Sequence, residues 1–102
     1  MYVGTIANNY NNGEVEATNG NAGGISGGQD YGTITNSYNS GSVKTTSSYA
    51  GGVTGYVNYS TAQITNCYNV GTVTSNGYAS GIAGNKFGVT AYNYALSGTA
   101  PE

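Results

Sequence analysis

Apolar positions along this chain are sparse, and those present recur at a fixed interval. Around Ile34, the triplet Thr33-Ile34-Thr35 sets one β-branched apolar residue between two hydroxyl residues, the period-two alternation of a half-buried strand. Ile6 and Ile64 take the equivalent place one unit away on either side. A second series runs Val15, Val43, Val73, and a third runs Ile25, Val53, Ile82. The pattern predicts three short strands per unit, centred on these series. No stretch sustains helical periodicity, so helix content is expected to be near zero.

The polar residues repeat as well. Tyr10, Tyr38 and Tyr68 lie 28 and 30 residues apart, and Tyr94 follows after 26 more. The words AGGISG from Ala22, AGGVTG from Ala50 and ASGIAG from Ala79 form a second column. Corner residues that tolerate positive φ recur between them at Asn12-Gly13, Asn19-Gly20, Ser40-Gly41 and Asn76-Gly77. Such corners also suit hairpins in an antiparallel sheet. Like residue matches like one full unit later, however, which is the signature of coils stacked into a solenoid. The expected fold is all-β, a β-solenoid with roughly 28–30 residues and three parallel strands per coil. Roughly three and a half coils at about 4.8 Å each would stand about 17 Å tall. Residues 1–102 are read as one domain with units near 4–31, 32–61, 62–87 and 88–100, the last a degenerate cap.

A narrow coil needs only about one inward aliphatic per strand, each contributing roughly 1.5–3 kcal/mol when fully buried. Ladders of like side chains are expected to supply the remaining specificity. Tyr10, Tyr38 and Tyr68 lie at even spacing from the inward isoleucines, so their rings are expected beneath the core. Asn8, Asn36 and Asn66 form a column near a corner, where their amides are expected to bond to the coils above and below.

Composition alters this picture at a few points. Gly, Asn, Ser and Thr make up 55 of 102 residues, while Ile, Leu, Val and Phe make up 15. So little apolar content suggests disorder, but the formal net charge is only -2 and 11 tyrosines are present, which argues for folding. There is no arginine, and Lys44 and Lys86 are the only cationic side chains. The counterion-release term that drives nucleic-acid binding is therefore nearly absent. No run approaches the ~20 apolar residues of a membrane span. Met1-Tyr2-Val3-Gly4 does not open like a signal peptide, so the chain is expected to be a mature fragment or an excerpt of a longer protein. Cys67 is the single cysteine and rules out an internal disulfide. Its aligned positions, Asn9 and Ser37, mark it as a tolerated replacement.

Little catalytic chemistry can be assembled. Without histidine, neither a Ser/His/Asp triad nor a typical zinc site is available. The carboxylates are Glu14, Glu16, Asp30 and Glu102. Glu14 and Glu16 flank Val15 and read as surface charges that discourage wrong edge pairing. Asp30 has no acidic neighbour in its unit to form a glycosidase pair. Calcium-binding rolls need an aspartate in every coil, and GGISGG lacks the Lys-Ser/Thr of a phosphate cradle. No enzyme activity, metal or cofactor is expected. Threonine rows of the ice-binding sort are broken by Ala7, Lys44 and Gln63. Tyr49 and Tyr78, one unit apart, are candidate surfaces for stacking on sugar rings. Asn58-Tyr59-Ser60 is the only glycosylation sequon and lies in a loop two residues longer than its counterpart.

AGGISG, AGGVTG and ASGIAG, combined with TNSYNSGSV and TNCYNVGTV, resemble the GLUG repeat family, and the resemblance runs from about Gly4 to Gly98. Such repeats occur in tandem in large bacterial surface and secreted proteins, including adhesin-like proteins and IgA-specific metallopeptidases. The resemblance implies an extracellular, non-catalytic repeat module, a spacer or stalk. Metallopeptidase activity does not carry over, because the zinc motif needs histidines. The family's usual Leu is Ile or Val here, and the final unit lacks the Asn-x-Gly pair after its tyrosine. Strand edges at both ends predict head-to-tail stacking with another copy or with adjacent repeats, as in a fibre. A carbohydrate-binding adhesin module, with glycans as partners, is the alternative.

Overall fold

The structure is a computed structural model that describes residues 1–85, 89–91 and 93–95. Strands are short and follow the repeat. The first coil carries β1 (Thr5–Ala7), β2 (Tyr10–Asn11), β3 (Val15–Ala17), β4 (Ala22–Gly23) and β5 (Ser26–Gln29). The second carries β6 (Thr33–Thr35), β7 (Tyr38–Asn39), β8 (Val43–Thr45), β9 (Tyr49–Gly51) and β10 (Thr54–Val57). The third contributes β11 (Gln63–Thr65), β12 (Tyr68–Asn69), β13 (Val73–Ser75) and β14 (Tyr78–Ser80), and a further turn begins with β15 (Val89–Ala91) and β16 (Tyr94–Ala95). No helix occurs among the described residues. Lys86, Gly98, Pro101 and Glu102 lie outside them.

Every pairing between these strands is parallel and joins one coil to the next, giving a β-solenoid of about three turns. Five sheets form its walls: β1-β6-β11-β15, β2-β7-β12-β16, β3-β8-β13, β4-β9-β14 and β5-β10. The register puts Ile6 on Ile34 and Ile34 on Ile64, Val15 on Val43 and Val43 on Val73, Tyr10 on Tyr38 and Tyr38 on Tyr68.

The coil has five strand segments where three were expected. Ile25 and Val53 do not centre a strand; they sit at the bend between β4 and β5 and between β9 and β10, with Ile82 at the matching bend of the third coil. The bend suits the Gly-rich word. A Cβ on Gly23 or Gly51 would lie 2.0 or 1.9 Å from the carbonyl oxygen of Ser26 or Thr54, so a backbone turned this tightly excludes a side chain there. The aliphatic residue still points inward, and it is the backbone that turns. Val53 N–H donates to the Ile82 carbonyl and Ile25 N–H to the Val53 carbonyl, so the corner itself is laddered.

Two apolar clusters fill the interior. One contains Ile34, Val53, Val57, Ala62, Ile64, Cys67 and Ala83, with Met1, Ile6, Ile25 and Ile82 against it. The other contains Ala22, Val43, Ala50 and Val73, with Val15, Ala17 and Ala79 alongside. Burial is complete in the middle coils and partial in the first, because an end coil has a neighbour on one side only. Where a tight loop returns the chain to β6, Gly32 adopts φ +89°, and a Cβ would fall 2.4 Å from the Gly4 carbonyl. The buried Gln29 amide braces this loop, donating to the carbonyls of Gly32 and Gln63.

Ile34 has no exposed surface and sits between Ile6 and Ile64. Ile34→Asp would bury an unpaired charge at a cost of several kcal/mol, comparable to the whole stability of a small domain. The expected result is loss of the β signal in circular dichroism and of any cooperative melt.

Candidate functional site: the asparagine ladder and the tyrosine columns

The Tyr-Asn-x-Gly word builds the most ordered polar feature of the molecule. In each of the first three coils the asparagine after the tyrosine folds its amide onto the glycine two residues on. Asn39 Nδ2 donates to the Gly41 carbonyl at 2.8 Å while Oδ1 accepts from Gly41 N–H at 3.3 Å. Asn69 does the same with Gly71, at 2.9 and 3.1 Å, and Asn11 with Gly13, at 2.8 and 3.2 Å. The second amide hydrogen runs along the axis, from Asn11 Nδ2 to Asn39 Oδ1 and from Asn39 Nδ2 to Asn69 Oδ1, each at 2.8 Å. Asn39 and Asn69 are fully buried, so this satisfied chain stands where unpaired amides would be costly.

The ladder also explains the second glycine of the Gly-rich word. A Cβ on Gly24 would lie 2.5 Å from Asn39 Cγ, and one on Gly52 2.3 Å from Asn69 Cγ. The Gly-rich word of one coil and the Tyr-Asn-x-Gly word of the next are thus two halves of one contact, the amide on one wall and the space for it on the facing corner.

This corrects the expected amide column. Asn8, Asn36 and Asn66 are exposed, and their amides do not form the axial chain. Their common feature is backbone conformation, with φ of 61°, 51° and 53°. Asparagine tolerates this left-handed region better than other residues with a Cβ, so the column marks the corner between the first and second walls. The residue after this corner donates back across it: Asn9 Nδ2 to the Ala7 carbonyl, Ser37 Oγ to Thr35 and Cys67 Sγ to Thr65, at 3.0, 2.9 and 3.2 Å. Cys67 therefore occupies the place of a hydroxyl or amide donor. It is buried, and desolvation pushes its thiol above the usual range. Asn93 continues the column, accepting from Cys67 N–H and donating to the Ile64 carbonyl.

The tyrosine column is also corrected. Tyr10, Tyr38 and Tyr68 are in register and stacked, but on the outer surface: Tyr10 is 61% and Tyr68 41% exposed. β7 is only Tyr38–Asn39, and alternation along a strand sends the asparagine inward and the ring out. Counting even spacing from Ile34 failed because the corner at Asn36 resets the alternation. Ring centroids are 5.4 Å apart for Tyr10 and Tyr38 and 4.7 Å for Tyr38 and Tyr68, with interplanar angles of 12° and 2°. Tyr49 and Tyr78 form a second stack at 5.0 Å and 14°, with Tyr56 tilted against Tyr49. A third column, absent from the sequence reading, joins Tyr31 and Tyr59 at 4.5 Å and 7°, with Tyr2 edge-on to Tyr31. It arises because the loops after β5 and β10 each carry a tyrosine two residues past the strand, 28 residues apart like Tyr10 and Tyr38. Desolvation, with the Tyr59 phenol and the Asp30 carboxylate nearby, holds the Tyr31 phenol above its ordinary range.

Asn58 is exposed, and its amide donates to the Asp30 carboxylate. Glu14 and Glu16 are exposed, and Glu16 pairs in register with Lys44. Among the described residues no three His, Cys, Asp or Glu side chains group together.

Residues 18–44 match the family described as the GLUG motif. The chain carries a GLUG repeat. The matched stretch starts after β3 and ends within β8, just under one coil, so the GLUG unit corresponds to one turn of the solenoid. It includes the Gly23-Gly24 corner and the Asn39-Ser40-Gly41 turn, both halves of the contact described above. Comparison with curated proteins and with solved structures gives no significant match.

Removing the Asn39 amide leaves Asn69 Oδ1 and both Gly41 backbone groups without this partner in a buried setting. Asn39→Ala is expected to cost about 2–4 kcal/mol, reckoned from the desolvation of the groups left unpaired. Asn11→Ala, at the more exposed first coil, should cost clearly less; chemical denaturation of both variants measures the difference. Cys67→Ser should change stability by less than about 1 kcal/mol, since Ser37 already makes the same bond one coil earlier. Native Cys67 should react with a thiol reagent only as fast as the chain opens, and rapid labelling of the folded protein would contradict its burial.

Proposed function

We propose that the chain is a structural, non-catalytic repeat module that is extended along its axis by further coils, as a spacer of a bacterial surface protein or as a stacking subunit. The observation that carries this reading is the first coil. β1, β2, β3 and β4 each sit at the end of their sheet, so among the described residues their outer edges have no partner strand. Thr33 N–H and Gln63 N–H both donate to the preceding coil, at Gly4 and Gly32. The same register turns Thr5 N–H away from the stack. Such an edge is a template for another strand, and the coil most complementary to it is one of this kind. The GLUG repeat supports the extracellular placement, since that family's tandem arrays belong to surface and secreted proteins.

The alternative, a glycan-binding adhesin module, rests on the exposure of Tyr78, which is 64% exposed. Stacking between Tyr49 and Tyr78 covers one face of each ring and leaves less aromatic face for a sugar, which favours the structural reading.

Sedimentation velocity over a concentration series, with negative-stain imaging, is expected to show axial growth. Thr5→Pro should shift the population to monomer, because proline is accepted at the first residue of an edge strand and removes the outward donor. A chain that stays monomeric at every concentration and is retained on a glycan array would replace this reading with the adhesin one.

A further inference from the structure

Four tyrosine pairs hold their rings within 14° of parallel, with centroids 4.5–5.4 Å apart. Each pair joins two adjacent coils, and each includes at least one ring open to solvent: Tyr10, Tyr59, Tyr68 or Tyr78. We propose that these stacked tyrosines are sites of oxidative cross-linking, at which an external one-electron oxidant joins neighbouring coils through dityrosine bonds.

The chemistry balances without any group from the protein besides the two phenols. Each phenol loses one electron to the oxidant and its hydroxyl proton to water, giving two phenoxyl radicals. A carbon–carbon bond forms between the ring positions ortho to the oxygens. The hydrogens at those two carbons move to the oxygens as the rings regain aromaticity, so the product lacks two hydrogens and the oxidant has gained two electrons. With persulfate as the terminal acceptor, these electrons yield two sulfates.

Two features direct the reaction to these pairs. The parallel register holds the partners together before oxidation, so coupling within the stack has the advantage of an intramolecular reaction over encounter between chains. Competing electron donors are few. The chain has no tryptophan and one methionine, and its single cysteine is buried. The fold also supplies internal controls, because Tyr49–Tyr56, at 4.8 Å and 54°, is as close as the stacked pairs and Tyr2–Tyr31, at 5.6 Å and 89°, is nearly so, yet neither is stacked.

The test is light-driven oxidation of the dilute full chain by ruthenium tris-bipyridyl and persulfate, followed by denaturing gel separation and peptide mass spectrometry. Dityrosine fluorescence is expected in the single-chain band, with linked peptides joining Tyr10–Tyr38, Tyr38–Tyr68, Tyr31–Tyr59 or Tyr49–Tyr78, each lacking two hydrogens. The yield within one chain should exceed that of the same chain in guanidinium by about tenfold or more. Tyr38→Phe keeps a ring in the stack but supplies no phenolic proton; it should abolish both links through residue 38 and leave Tyr31–Tyr59 and Tyr49–Tyr78 intact. Links found only between chains, mapped chiefly to Tyr2–Tyr31 or Tyr49–Tyr56, or formed equally in the unfolded chain would overturn the proposal.

Discussion

A parallel, in-register stack places every side chain about 4.8 Å from its counterpart one coil away, and this constraint governs which residues the molecule uses. A buried charge would meet a similar charge at that distance, and a lone buried amide would have no partner. Isoleucine, valine and asparagine survive the condition because each is satisfied by a neighbour of its own type. The amide chain from Asn11 through Asn39 to Asn69 shows it most directly, since every inward asparagine serves its own turn with one set of bonds and an adjacent coil with another. The apolar columns Ile6-Ile34-Ile64 and Val15-Val43-Val73 follow the same rule by dispersion and burial.

Glycine answers a different demand of the same geometry. A coil this narrow brings opposite walls into contact, and the space beside Asn39 and Asn69 exists only because Gly24 and Gly52 carry no side chain. High Gly and Asn content, which in isolation reads as a linker, is here the composition of a packed interior. The GLUG repeat is accordingly a unit of packing as much as of sequence, with its two words meeting across the core.

The outer surface obeys the stacking constraint with other consequences. Rings that repeat in register cover one another's faces and turn their edges outward. An exposed tyrosine column therefore offers less aromatic face to a ligand than the same number of isolated rings. It also brings phenols together in pairs. The structural reading of the module and its cross-linking chemistry both grow from this repetition.

Much of the fold was legible in the sequence because periodicity survives translation into structure. Equal spacing of Ile34 with its counterparts, and of Val43 with its own, dictated parallel coils and named their columns. Within a coil the reading was weaker. Alternation holds along a strand and is reset at a corner, so Tyr38 was placed inside and Asn39 was overlooked, although the Tyr-Asn-x-Gly word was in view. Asn36 was identified as a column member, but its left-handed φ, rather than an axial amide bond, is what the corner requires. The Tyr31–Tyr59 stack carries the regular 28-residue spacing, but a pair that recurs only once makes a fainter column than the three-membered Tyr10-Tyr38-Tyr68 series. What the sequence by itself determined was which residues lie above one another, because that depends on the repeat length alone. Only the tertiary structure decided which of them face inward, because that depends on where the backbone turns, and the turns are set by contacts between walls far apart in the coil.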